Sequence, residues 1–455
     1  MKKTPLLARQ MIYPFCLVTT LFALWGFAND VTNPLVKAFQ QIFLISAAES
    51  GLVQTAFYGG YATMAIPAAL FIRKFSYKSG ILVGLGLYAT GALLFIPAAG
   101  EMEFTLFLIA LYILTFGLAF LETTANPYIL SMGPPETATQ RLNLAQAFNP
   151  VGSLIGMVVA SHLVLAQLNV SEFRTEQMEL HPEYSEMLPG EVDAEITASL
   201  HDFAETSPEE HAQFRSEDLS TIKAPYVAIA GVVLLTFLAF AVSRFPKNTE
   251  EGKTLHFFGT VKRLVSTPHY IFGVLTQVFY VGAQIMCWTF IIHYAMGTLG
   301  MSASQAQNYN IVAMILFVSS RFLCTFLLRF LNPGLLLGIF ACLGVLLTLG
   351  VIFIPGMPGL YCLIGISICM SLMFPTIYGI SLEGMGQDAK LGSAGLIFAI
   401  VGGALMPPLQ GRIIDAGSIE IGGLIIAGVR ASFILPLICF VVVAIFGFFN
   451  TRKAT

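Results

Sequence analysis

The chain has 455 residues, of which 56% are hydrophobic and 11% charged, with a net charge of −3 and a mean hydropathy of +0.78. A soluble domain carries about 25% charged residues, so this chain has too little charge to cover a water-facing surface, and its balance excludes a basic footprint for nucleic acid. Seven cysteines, all in apolar stretches and without metal or redox spacing, read as packing residues.

Crossing a bilayer takes about 20 apolar residues at 1.5 Å rise each. Runs of that kind fall near 11–37, 50–72, 80–98, 104–132, 141–168, 224–244, 269–297, 305–331, 333–354, 358–384, 391–414 and 423–449. Lipid tolerates only helices or closed barrels. These runs are continuous, not short alternating segments, so the expectation is an all-α membrane protein of twelve transmembrane helices. The first run follows Lys2, Lys3 and Arg9, is long enough to span and lacks a small-residue cleavage site, so it reads as a helix and not a signal peptide. Assigning loops alternately, sixteen of the 23 Lys and Arg fall on the side of the termini, which makes both termini cytoplasmic.

Two loops are long. Residues 169–222 hold 14 of the 26 acidic residues and read as a solvated, partly disordered outer insert, with an outer-face docking element as the alternative. Residues 245–268 mix both charges and include an amphipathic stretch, His256–Leu264. The expected organisation is helices 1–5 over 1–168, an acidic loop at 169–223, helix 6 at 224–244, a linker at 245–268 and a second bundle of helices 7–12 over 269–455. Span count divides this into six plus six, the layout of a carrier built from repeated halves.

Against so apolar a background, polar residues inside spans are informative, because intramembrane charges cost about 2.5–3.5 kcal/mol each on insertion scales and face a cavity or a partner. In the first span Asn29 and Asn33 are i,i+4 and Asp30 and Asn33 are i,i+3, so amides share a face with a carboxylate. A capped helix end at the interface would present the same residues. In the fourth, Glu122 lies about 18 residues into the helix with Asn126 one turn on. Burial disfavours a bare carboxylate, so an acid at that depth can gain and lose a proton as water access alternates. The fifth span carries Gln146 and Asn149 at i,i+3, two amides offering donors and acceptors to sugar hydroxyls; interhelical hydrogen bonding uses the same chemistry. The seventh offers Gln284 beside Trp288, with His293 further on, and in the eighth Arg321 needs a carboxylate or a cluster of carbonyls. Gly252-Lys253-Thr254 resembles part of a phosphate loop, but Lys247 stands where the glycine is required, and no histidine opens an H-E-x-x-H run. No enzyme motif, metal set or cofactor site emerges.

Several stretches carry a resemblance: Ser76-Tyr-Lys78-Ser-Gly80, Leu121-Glu122-Thr-Thr-Ala-Asn126-Pro127, Arg141-Leu-Asn143-Leu-Ala-Gln146-Ala-Phe-Asn149, Tyr280-Val-Gly-Ala-Gln284 with Cys287-Trp288, Phe374-Pro375-Thr376 and Gly386-Gln387-Asp388. With these the chain resembles the major facilitator superfamily and, within it, the L-fucose permease branch of the fucose–galactose–glucose:proton symporters. The resemblance implies two six-helix bundles, alternating access and a central cavity. It also implies proton relay at Glu122 and sugar contact at Gln146 and Asn149. The family's first-span acid aligns with Asn33, whereas the acid of this chain is Asp30, one turn earlier. The implied protein is a monomer in a bacterial inner membrane whose partners are a monosaccharide, protons and lipid. The sugar expected is L-fucose. A glucose/galactose or N-acetylhexosamine carrier, coupled to protons or sodium, is the near alternative, and a sugar sensor that does not transport is the distant one. Candidate proton-coupling residues are Glu122 and Asp30; candidate sugar contacts are Asn29, Asn33, Asn126, Gln146, Asn149, Gln284 and Trp288.

Overall fold

The computed structural model describes residues 5–32, 35–50, 52–187, 189–245, 257–301, 303–415, 417–421 and 424–451. Among them, twelve helices are long and apolar enough to cross a membrane. We number them α1 (Arg9–Thr32), α2 (Leu52–Lys74), α3 (Tyr77–Glu101), α4 (Phe104–Ser131), α5 (Pro135–Gln167) and α6 (Pro208–Val242) in the first half. The second half holds α7 (Pro268–Met296), α8 (Gln305–Leu327), α9 (Pro333–Phe353), α10 (Met357–Ser381), α11 (Gly386–Ile414) and α12 (Gly428–Phe449). A small antiparallel ribbon, Ile419–Ile421 with Leu424–Ile426, joins α11 to α12. Large side chains such as Leu235, Leu346 and Val242 are exposed, and in a spanning helix they face lipid.

The two halves repeat one packing device. Where α1 crosses α5, a Cβ on Gly26 would lie 2.1 Å from Asn149 O and one on Gly152 would lie 1.9 Å from Ala23 O. Where α7 crosses α11, a Cβ on Gly402 would lie 2.1 Å from Val278 O. Glycine lets these backbones touch, which in lipid, where burial of apolar surface gives no drive to associate, is how helices gain packing energy. The correspondence of α1·α5 with α7·α11 makes visible a repeat that the sequence conveys only by span count.

The acidic segment departs from the sequence reading. It folds into helices, Asn169–Leu180 and Pro189–Thr206. These enclose a small core of Tyr184, Val192, Ile196 and Leu200. Asp218 explains the docking: its carboxylate accepts from the first backbone N–H groups of the Asn169 helix, Asn169 at 2.6 Å and Val170 at 3.1 Å, satisfying donors that a helix start leaves open. The sixth helix accordingly begins at Pro208, not 224, its first turns being a polar extension beyond the apolar part. Of the amphipathic stretch, His256 lies outside the described residues and the rest forms the helix Phe257–Val265.

Gly152→Val should strain the α1–α5 crossing, and overpacking of this kind costs about 1–3 kcal/mol. Gly86, whose added Cβ would meet nothing within 4 Å, should accept alanine without loss. Thermal unfolding of the detergent-solubilised proteins checks this, with a lowered Tm expected for the first variant alone.

Candidate functional site

Prolines set up the centre of the molecule. A proline in a helix has no N–H for the carbonyl four residues earlier, and in an apolar bundle the freed carbonyl must find another donor. Pro150 frees Gln146 O, Pro375 frees Ser371 O and Pro127 frees Thr123 O. The single guanidinium of Arg321 on α8 takes two of them: its Nε donates to Ser371 O at 2.5 Å and its Nη1 to Gln146 O at 3.0 Å. Ser393 on α11 takes the third, its hydroxyl donating to Thr123 O at 3.2 Å. Arg321 also lies 4.6 Å from the centroid of the Phe317 ring. Of the two partners the sequence offered for Arg321, the carbonyls are realised. The bonds to Gln146 O and Thr123 O join the two halves.

The break at Pro150 also shapes α5. Its helix runs Ala138–Gln146, then resumes at Asn149–Val158, so Gln146 and Asn149 sit at the discontinuity. Both line a cavity of about 940 Å3 between the halves, inside the range of about 300–1,000 Å3 usual for small-molecule sites. The first half contributes Trp25, Asn29 and Asp30 from α1, Gln54, Tyr58 and Tyr61 from α2, and Glu122 from α4. The second contributes Gln284 and Trp288 from α7, Asn310, Phe317 and Arg321 from α8, and Phe374 from α10. The two tryptophans of the chain thus face one chamber from the equivalent helices α1 and α7.

Polar contacts hold these groups in place. With its amide oxygen turned to α1, Asn149 accepts from Trp25 Nε1 at 2.7 Å and from the Gly26 N–H at 3.3 Å. Trp288 donates from Nε1 to Ser367 Oγ at 3.2 Å and meets Phe317 edge-on at 4.9 Å between centroids. Glu122 is 7% exposed and its Oε1 accepts from the Tyr61 hydroxyl at 2.7 Å. Asn126 is fully buried behind the wall: it receives Gln146 Nε2 on its Oδ1 at 2.9 Å and donates to the Glu122 carbonyl at 2.9 Å. The amide at the chamber is therefore wired through Asn126 to the residue that carries the acid.

Seven of the nine singled-out residues, Asn29, Asp30, Glu122, Gln146, Asn149, Gln284 and Trp288, share this one chamber. Asn126 stands one layer back, and Asn33 lies outside the described residues. His293 is exposed and does not line the cavity. Sequence reasoning missed the α2 wall. The signal was there in Gln54, Tyr58 and Tyr61 at i,i+4 and i,i+3 spacing.

The chamber lies in the half of the molecule remote from the termini, and the other half is sealed. Asn143 Nδ2 donates to Thr376 Oγ1 at 3.1 Å and Gln140 Nε2 to Thr325 O at 3.2 Å, both across the interface of the two halves. Beyond them, Asp388 at the start of α11 receives Arg263 Nε and Nη2 at 2.7 and 2.8 Å. Arg73, at the end of α2, lies 4.0 Å from the same carboxylate and donates to Thr260 Oγ1 at 2.8 Å. The linker helix is thus clasped between the two bundles. Its hydrogen bonds to Asp388, reinforced by the charge of the pair, keep the Arg263 guanidinium above its ordinary pKa.

Two helix bundles related by a repeat, enclosing a polar chamber that is shut at one end, define a transporter of the alternating-access kind. The chain belongs to the major facilitator superfamily. Residues 17–174 match the family described as Major Facilitator Superfamily. The chain is 54% identical to the L-fucose-proton symporter of Haemophilus influenzae over 97% of both chains. It is 35% identical to the L-fucose-proton symporter of Escherichia coli strain K12, over 98% of this chain and 95% of that one. Among solved structures, the superfamily transporter FucP in the outward conformation superposes with a TM-score of 0.83 at 34% identity, over 98% of this chain and 100% of that one.

Asp388→Asn should loosen the seal, because it removes the charge that Arg263 and Arg73 share. Partly exposed ion pairs contribute up to about 1 kcal/mol, so a few-fold faster alkylation of a cysteine placed by Ser393→Cys is expected, read against the same cysteine with Asp388 intact.

Proposed function

We propose that the protein is a sugar:proton symporter that imports a monosaccharide, L-fucose, by alternating access. It acts as a monomer in the bacterial inner membrane with both termini in the cytoplasm, so that the chamber described above opens outward. The observation that carries this reading is the sharing of one chamber by a buried carboxylate, Glu122, and the amides Asn29, Gln146, Asn149 and Gln284. Amides supply donors and acceptors to sugar hydroxyls together, and the indoles of Trp25 and Trp288 offer apolar faces for the sugar ring. The identity to two L-fucose-proton symporters supports the choice of sugar.

The order of events follows from electrostatics. A carboxylate taken out of water without a paired cation costs several kcal/mol, so the chamber cannot close over a charged Glu122. A proton entering from the outer side, past Asp30 at the α1 wall, neutralises Glu122. Sugar then binds against Gln146, Asn149, Asn29 and Gln284, with Asn126 holding the Gln146 amide in register with α4. The halves rock, the clasp at Asp388 opens, and both cargoes leave inward, where water lets Glu122 ionise again. The relay through Asn126 links sugar occupancy to the acid without contact between them.

Glu122→Gln should abolish pH-driven accumulation while sugar counterflow, which needs no net proton movement, persists. Full pH-driven uptake by that variant would remove Glu122 from the pathway. Asp30→Asn should slow accumulation without abolishing it. Gln146→Ala or Asn149→Ala, each removing a hydrogen bond of about 1–1.5 kcal/mol, should weaken sugar binding roughly five- to twelve-fold, as read by calorimetry. Counterflow in proteoliposomes with a panel of labelled sugars, under separately imposed pH and sodium gradients, tests both the sugar and the coupling ion. Strongest uptake of L-fucose, driven by pH and indifferent to sodium, is the expected result.

A further inference from the structure

Glu122 and Tyr61 come from different helices, α4 and α2, yet they meet at 2.7 Å with both side chains buried at the chamber wall. Gly60, the neighbour of Tyr61, lets α2 approach α4 closely about two turns before Glu122: a Cβ built on it would lie 2.7 Å from Thr115 Cβ and 3.2 Å from Tyr112 O, both on α4. Phe57, one turn earlier, packs on the Tyr61 ring with centroids 5.9 Å apart and fixes its direction. The hydroxyl is thus delivered to the carboxylate by a built arrangement of α2 against α4.

We propose that Tyr61 is the positioning residue of the proton site, fixing the Glu122 carboxylate at the chamber wall and setting the pH at which it loads. This rests on the reading of Glu122 as the coupling acid. A hydroxyl donor to a carboxylate stabilises the ionised form more than the neutral one. Tyr61 therefore orients the Glu122 carboxylate in the outward-open chamber and opposes the pull of burial toward its neutral form. It occupies Oε1 and leaves Oε2 to receive the proton. Once that proton is bound, the contact is one between neutral groups and its hold weakens.

Several of the other charged and titratable groups around Glu122 are engaged elsewhere. Arg321 on α8 is committed to two carbonyls, and Tyr88 on α3 donates to Leu24 O at 3.1 Å. Asp30 on α1 is an acid and gives no donor when ionised. From α5 come the amides Gln146 and Asn149, from α10 Tyr378, and from α11 Lys390, which lies 4.8 Å from the Tyr77 ring centroid. Among the described residues, Tyr61 is the neighbour whose hydroxyl reaches the carboxylate.

The test follows the acid itself, apart from transport. In the purified protein in lipid, the infrared carbonyl band of protonated Glu122 is identified by its absence in Glu122→Gln and titrated with pH. In Tyr61→Phe, which keeps the ring and removes the donor, the band should persist to a pH higher by about one unit or more. Gly60→Ala, which pushes α2 from α4, should move it in the same direction, and the double variant should move it no further than Tyr61→Phe alone. A band that titrates at the wild-type pH in Tyr61→Phe overturns the proposal, as does full additivity in the double variant. If the band moves while pH-driven uptake keeps its wild-type profile, the role of Tyr61 stands and the assignment of Glu122 to coupling fails.

Discussion

Inside a bilayer a polar backbone group has no water to fall back on, and this constraint organises the middle of the molecule. On three helices, α4, α5 and α10, a proline's missing N–H frees a carbonyl near the chamber that is satisfied from another helix. Arg321 bridges Gln146 O and Ser371 O, and Ser393 reaches Thr123 O. A guanidinium suits the first task because its fork of donors can serve two acceptors at once, and because carbonyls can solvate its charge in place of a carboxylate. The same breaks that create the need for these donors shape the site. The discontinuity at Pro150 is where Gln146 and Asn149 turn into the cavity.

Because two of these three bonds join the bundles, satisfaction of the backbone and closure of the terminal half are one event. Opening that half exposes Gln146 O and Thr123 O, but it also admits water, which can replace both donors at little net cost. Polar cross-links of this kind are therefore suited to a seal that must break, whereas an apolar interface would expose surface with nothing to compensate it. The clasp of Arg73, Thr260, Arg263 and Asp388 follows the same logic nearer the aqueous phase, where each pair is weak and exchangeable. Within a bundle the arrangement is different. The glycine crossings of α1 with α5 and α7 with α11 pack backbone against backbone, so each half is built as a block.

Polarity at depth made much of the site legible in advance. Glu122, Gln146, Asn149, Asn29, Asp30, Gln284 and Trp288 stand out because hydrocarbon has no use for them, and they share the chamber. What escaped notice was of ordinary type for a membrane helix. Tyr58 and Tyr61 are amphipathic aromatics, common at many depths, and only the neighbour at 2.7 Å distinguishes Tyr61 from a packing residue. Asn126 shows the converse: its type and spacing place it on the face of Glu122, yet its amide is taken up by Gln146 behind the wall. The acidic insert was misread because its charge outweighs its few apolar residues. Val192, Ile196 and Leu200 are nonetheless spaced at i,i+4 and i,i+8, enough for one small helical core once Asp218 anchors its partner helix.

By itself the sequence determined the number of spanning helices, their helical form and the set of polar residues that needed an explanation. These depend on local quantities: run length, hydropathy and the cost of a charge in lipid. Tertiary structure alone decided which carbonyl meets which donor, which amide faces the chamber and which end of the chamber is shut. Those outcomes depend on contacts between residues as far apart in sequence as Thr123 and Ser393 or Gln146 and Arg321, and periodicity along one helix carries no information about the face presented by another.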